Sequence, residues 1–371
     1  MRLRMLLCAV AALCLPAVLP QPALRAAAKR SRLLYVAVPG IRNYLEYGGH
    51  GILVFDMDNN YRFVKRIPTA GLNKEGKPSN VKGVTVSLAT NCIYISTLES
   101  LQCLDLTTEK LVWEKQYEGG CDRMAISPDG KIIYLPSLEK EHWHVIDAKT
   151  GDIIKKIVTN SGAHNTIYGQ DGRHVYLAGL RSPYLMVADT KNHTVSKEVG
   201  PFLASIRPFT INGKQTLCFV NVNGLLGFEV GDLTTGKKLH QVKVEGYEIG
   251  PVKRHGCPSH GIGLSPDEKE IWLADAANQR LHIFDASLMP PKQKESILLR
   301  DQPGWVTFSM DGKYVFPSTG EVIEASTRKI IASLQDEKGN AVQSEKVVEI
   351  HFNGKKPVAA GDQFGFGRIT Q

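Results

Sequence analysis

No stretch of this sequence concentrates positive charge. The lysines and arginines give a formal net charge of +8 over 371 residues, and they are scattered. Nucleic-acid binding needs a basic face, often with stacking aromatics, so that class is excluded. Nucleophile, nucleotide and haem motifs are missing too. There is no G-x-S-x-G elbow, no phosphate-binding Walker loop, no glycine fingerprint on a strand–helix turn and no C-x-x-C-H. Paired carboxylates that converge only in space stay open. Long apolar runs are also lacking, with one exception at the start.

That exception reads as a targeting segment. Met1-Arg2-Leu3-Arg4 is basic, residues 5–19 are apolar, and Pro20, Pro22 and Ala26-Ala27-Ala28 follow. The pattern predicts a signal peptide over residues 1–28 and a periplasmic or secreted protein. Pro16 breaks the run, so no stable membrane span is expected after its removal. Loss of residues 1–28 takes away Arg2, Arg4 and Arg25 and no acid, which lowers the formal charge from +8 to +5.

What the chain has in abundance is one repeated unit, clearest over residues 121–157. Short apolar runs at 124–127, 131–136 and 143–147, and a weaker one at 152–157, are separated by turn chemistry. In Ser127-Pro128-Asp129-Gly130, proline fixes φ, aspartate bonds the nearby backbone and glycine takes positive φ without steric cost. Runs so short and so β-branched read as strands, and the unit as a four-stranded antiparallel meander. Copies fall at 82–116, 163–199, 205–244, 259–299 and 303–334. A partial copy at 32–67 lacks its first strand, which residues 347–352 supply. A ring closed by that later strand covers the free edge that the partial unit would otherwise expose. The reading is an all-β, seven-bladed β-propeller over residues 29–371, with an eighth blade from PVAAGDQFGFG as the alternative. An apolar residue before an acid recurs at the end of the third strand (Asp56, Asp105, Asp147, Asp189, Asp285, Glu324), where the acid is expected to bond the next turn.

The stretches SPDGKIIYLPS, HVIDAKTGDIIKKI and HGIGLSPDEKEIWLADAANQRLHIFD resemble YVTN-type β-propeller repeats over nearly the whole chain after residue 28. The resemblance implies a seven-bladed fold and export. It does not single out an activity, because similar propellers include surface-layer and binding proteins and lactonases. Residues 88–91 (LATN) depart from the usual turn.

The repeat places residues in space. Aligned on their turns, the units put Lys82, Asp122, His164, Ser205, His260, Gly304 and Lys346 just before the channel-lining strand. Gly83, Arg123, Asn165, Ile206, Gly261, Trp305 and Val347 come next. Asp122, Arg123, His164, Asn165, Arg207, His260 and Trp305 are therefore expected to form a site at the channel mouth for a small polar or anionic ligand or another exported protein. The loop at 245–260 adds His255 and Cys257, and His164, His255 and His260 are candidate ligands for a divalent metal ion. Two alternatives follow: a metal-assisted lactonase or hydrolase at the same mouth, and a structural cell-surface repeat protein.

Five cysteines follow residue 28, an odd number. Cys92 and Cys103 flank a hairpin centred between Thr97 and Leu98, which would set them opposite each other, as a disulfide or as two buried thiols. His142 and His144 share one face of a strand and read as a sheet-surface pair. Asn192-His193-Thr194 reads as a hairpin turn.

Overall fold

A computed structural model of the protein describes residues 30–251 and 254–368. The expected signal peptide at 1–28 lies outside the described residues. Seven antiparallel sheets form the ring, six of four strands and one of five. The single helical element among the described residues is a short 3-10 turn, Leu45–Tyr47.

Local chemistry explains the blades. In the third blade the strands run Ala125–Ile126, Ile132–Pro136, His142–Asp147 and Ile153–Val158. The Ser127 hydroxyl donates to Asp129 at 2.6 Å and accepts from the Lys131 and Ile132 amides. Gly130 sits at φ 72°. Ser265–Asp267 and Ser309–Asp311 repeat this turn in the sixth and seventh blades. In the departing LATN turn, Asn91 takes positive φ, and Ser87 accepts from the Thr90 amide and donates to the Gly130 carbonyl of the next blade. The strand-end acids cap the following turn as well. Asp147 accepts from Lys149 and Thr150, and Asp105 from Thr107 and Thr108.

Burial grades outward along each blade. Gly83–Ser87 and Cys92–Ser96 are buried throughout, whereas the outer strand Leu111–Gln116 is mostly exposed. The apolar core therefore lies between blades, face against face. Trp143, fully buried, reaches across to donate its indole N–H to Thr166 of the fourth blade at 2.8 Å.

The ring closes in the five-stranded sheet. Val347–Asn353 pairs with Arg30–Val38 over seven residue pairs, from Val36↔Val347 to Arg30↔Asn353. Lys356–Ala360 then folds back on Val347–Asn353. No eighth blade forms from PVAAGDQFGFG. Its first part is this short extra strand, and its remainder enters the central channel. There Gly365 bridges to Gly263, and its carbonyl accepts from the Leu264 amide at 3.0 Å. Inner strands of a propeller carry backbone groups with no sheet partner on the channel side, and this segment satisfies several of them.

Cys92 and Cys103 are not opposite one another. Cys92 faces Asp105, and Tyr94 faces Cys103, because the hairpin turns about a point between Leu98 and Glu99. The two residues are diagonal neighbours, and both thiols are free and buried. His142 and His144 are buried rather than on the sheet surface. Their Nε2 atoms lie 3.2 Å apart above the Glu118 carbonyl, and burial holds both below the ordinary histidine range. His193, at φ 53°, turns the hairpin between Leu185–Asp189 and Thr194–Val199.

Candidate functional site

One end of the channel opens as a cup of about 130 Å3. Its wall comes from the residues just before the innermost strands and from the loops that carry Arg42 and Arg254. Six cationic side chains line it (Arg42, Lys82, Arg123, Arg207, Arg254, Lys346), against three carboxylates (Asp122, Glu139, Glu345) and three histidines.

Glu345 is the hub of one side. It is buried, and its Oε2 accepts from Arg123 Nη2 and from Lys346 Nζ, each at 2.8 Å. Its Oε1 lies 3.3 Å from His255 Nδ1. Burial alone would raise this carboxyl; Lys346, the two histidines and Arg123 together hold it well below its ordinary range. Lys346 also donates to the Gly40 carbonyl at 2.8 Å, and burial pushes its ammonium down to about 7 against the pull of Glu345.

His255 and His260 stack, with ring centroids 4.7 Å apart. His260 Nδ1 meets the Gly304 carbonyl at 2.8 Å, which fixes that nitrogen as the donor. Burial lowers His255 to about 4 and His260 well below the ordinary value, so both rings are neutral at pH 7. The Nε2 of His255 is buried without a partner.

Asp122 organises the other side. It is 1% exposed. Its Oδ2 meets His164 Nδ1 at 2.7 Å, and its Oδ1 lies 3.4 Å from Lys82 Nζ. Burial would raise Asp122 too, but His164, Lys82 and Arg123 keep it ionised and below its ordinary value. Arg207 donates through Nε to Asn223 at 2.6 Å and through Nη2 to the Gly256 carbonyl.

Arg123 makes the floor. Its guanidinium carbon lies 3.4 Å from the centre of the Trp305 ring, and its Nη1 is buried without a partner.

No protein-family model matches the chain. No curated protein matches it either. Among solved structures, a chain of the Kuenenia stuttgartiensis hydrazine synthase is similar over 67% of this chain and 94% of that one, at 14% identity and a TM-score of 0.45.

The cup brings together Asp122, Arg123, His164, Arg207, His255 and His260. Trp305 is 3% exposed and lies beneath Arg123 rather than at the rim. Asn165 is buried below the cup, with neither amide atom partnered. The expected metal set does not assemble as such. His255 and His260 come together, but the third potential ligand beside them is Glu345, not His164; ligand atoms of these three lie within 4.8 Å of one another. Cys257 turns away, its thiol contacting the Ser259 carbonyl and pushed up to about 12 by burial. Glu345 and the loop residues Arg42 and Arg254 escape sequence reasoning. Glu345 adjoins the aligned position Lys346, which is the one signal that pointed to it.

A second histidine–carboxylate arrangement lies in the sixth blade. His282 contacts Ser296 Oγ at 2.7 Å and Asp275 Oδ2 at 3.0 Å. His282 and Asp275 are fully buried, and Asp275 also accepts from the Asn278 amide and side chain. The relay therefore ties strands and turn together.

Proposed function

We propose that the protein is an exported binding module that takes a small anion in the cup at the channel mouth. The observation that carries this reading is the lining itself, in which cationic side chains outnumber carboxylates by six to three. At ~4 Å, an opposite-charge pair is worth about 4 kcal/mol at an effective dielectric of ~20, against about 1 kcal/mol in bulk water. Burial of Arg123 and Lys346 puts them nearer the first case. The buried, unpartnered Nη1 of Arg123 is a donor awaiting an acceptor. Export rests on the leader pattern and on the resemblance to YVTN-type repeats. The test is calorimetric titration of the untagged protein with phosphate, sulfate and citrate, beside Lys82→Met. Binding of at least one anion in the wild type, weakened tenfold or more in the variant, is expected. Equal or absent binding of all three in both proteins refutes the reading.

The hydrolase reading keeps one specific support. Asp122 orients His164 through Nδ1, as a carboxylate does for a general-base histidine. Hydrolysis of lactones or simple esters that disappears in His164→Gln would establish it. A metal fits the cup less well. The charge of Glu345 is matched by the Arg123 guanidinium and, below about pH 7, by the Lys346 ammonium as well, and both oppose a further cation.

A further inference from the structure

The segment 361–368 does more than fill the channel. Gln363 is 1% exposed, and both ends of its side-chain amide and its backbone carbonyl are hydrogen-bonded. Its Oε1 accepts from the Val84 amide at 3.1 Å, and its Nε2 donates to the Met124 carbonyl at 2.9 Å. Its own backbone carbonyl accepts the Trp305 indole N–H at 2.7 Å. One residue thus joins the second, third and seventh blades directly under the cup. Phe364 continues the support. Its carbonyl accepts from Thr307 Oγ1 at 2.9 Å, and its ring lies 6.1 Å from that of Trp305. Further along, Gln170 donates to the Gly367 carbonyl at 3.1 Å, in the fourth blade.

We infer that Gln363 is a positioning residue for the anion cup: it fixes the Trp305 indole, and the indole face fixes the guanidinium of Arg123 that meets the ligand. The chain of contacts is continuous. Gln363 is pinned by two blades, its carbonyl holds the indole N–H, and Arg123 lies 3.4 Å above the ring. An arginine stacked on a fixed ring has fewer orientations to lose when it binds, which is what preorganisation means for affinity. The Arg123–Glu345 ion pair holds the guanidinium from the side, and the Trp305 face holds it from below. Removing the Gln363 side chain leaves its carbonyl in the backbone but unpins it, so the effect reaches Arg123 through Trp305.

This inference rests on the anion-binding reading, and the experiment separates the two. Inorganic phosphate is titrated into the full chain and into Gln363→Ala, Thr307→Val and Gln170→Ala. Thermal melts and the tryptophan emission of each are recorded, with Trp305→Phe and the Trp305→Phe/Gln363→Ala double variant used to isolate the Trp305 signal. Gln363→Ala is expected to weaken phosphate at least tenfold and to red-shift emission only where Trp305 is present. Thr307→Val is expected to weaken phosphate several-fold. Gln170→Ala, which loosens the same segment away from Trp305, is expected to bind as the wild type does. Equal affinity in Gln363→Ala and the wild type overturns the inference and leaves the anion reading intact. An equal loss in Gln170→Ala overturns it as well, since that would be general loosening. If the wild type does not bind phosphate, the anion reading fails for that probe and emission decides: a Trp305-dependent red shift supports the positioning role, and no shift overturns it. If Gln363→Ala does not fold, Thr307→Val carries the same comparison.

Discussion

Lys346 and Glu345 are neighbours in sequence and are both buried, yet their charges meet opposite fates. Glu345 gathers Arg123, Lys346 and His255 and stays ionised. Lys346 has one carboxylate and one carbonyl, too little to offset its burial, and falls to about 7. In an unfolded chain a lysine titrates at about 10.4. Between about pH 7 and that value the unfolded state binds more protons, so this group adds stability as pH rises across the window and contributes no slope below it. A bound anion favours the ammonium. Sulfate, a dianion throughout this range, is therefore expected to bind best below about pH 7, with its Kd rising by up to about tenfold per pH unit above it. In Lys346→Met the slope should vanish, and a flat profile in the wild type refutes the assignment. His255 gives the second pH effect. Buried and neutral, it titrates at about 4 rather than about 6.5. As pH falls from about 6.5, the unfolded chain takes up this proton first. The protein should lose up to about 3 kcal/mol by pH ~4, and His255→Gln should flatten that part of the urea-midpoint profile.

The blade turns are where sequence and structure agree most closely, and the reason is range. Ser127-Pro128-Asp129-Gly130 satisfies its own backbone within five residues, so its fate is written locally. The same hydroxyl-to-amide bonds recur at Ser265 and Ser309. Each Ser→Ala change leaves an amide without its acceptor and is expected to cost about 1 kcal/mol. The three sites lie in separate blades, and the triple variant should lose about 3 kcal/mol by urea titration with the slope unchanged. If Ser265→Ala and Ser309→Ala leave the urea midpoint where it was, the turn hydroxyls are dispensable. Strand register was less legible. The Thr97–Ser100 turn puts the hairpin centre one residue later than expected, and that alone moves Cys103 from opposite Cys92 to opposite Tyr94. The mouth was legible in part, because every repeat delivers one residue to it. Arg42 and Arg254 were not, since the loops that carry them belong to no repeated position, and Glu345 was not because it sits one residue before the aligned Lys346. The repeat alignment puts Trp305 at the mouth, but the segment 361–368 draws its indole down to the Gln363 carbonyl.

At the scale of the whole molecule, the ring depends on two closures that act at different radii. The outer one is the sheet bond between Val347–Asn353 and Arg30–Val38. The inner one is the segment 361–367, which reaches Val84, Met124, Gln170, Ile211, Leu264 and Thr307, one residue on each of the six other blades. The first covers the inner edge of Arg30–Val38 that the partial first unit would leave open, and the second holds the inner strands against one another. Their loss should differ in kind. A chain stopped after Ala360 keeps all seven blades, so it should elute as the full chain does and unfold cooperatively, at a lower temperature than the full chain. A chain stopped after Lys346 exposes the edge of Arg30–Val38, an apolar strand with unpaired backbone groups. Such an edge pairs with other chains, and this product should elute as oligomers and lose its sharp thermal transition. Size-exclusion chromatography with calorimetry of the two truncations reads both outcomes. A monomeric, cooperative product from the shorter chain would mean that contacts between blades, rather than the shared strand, hold the ring shut.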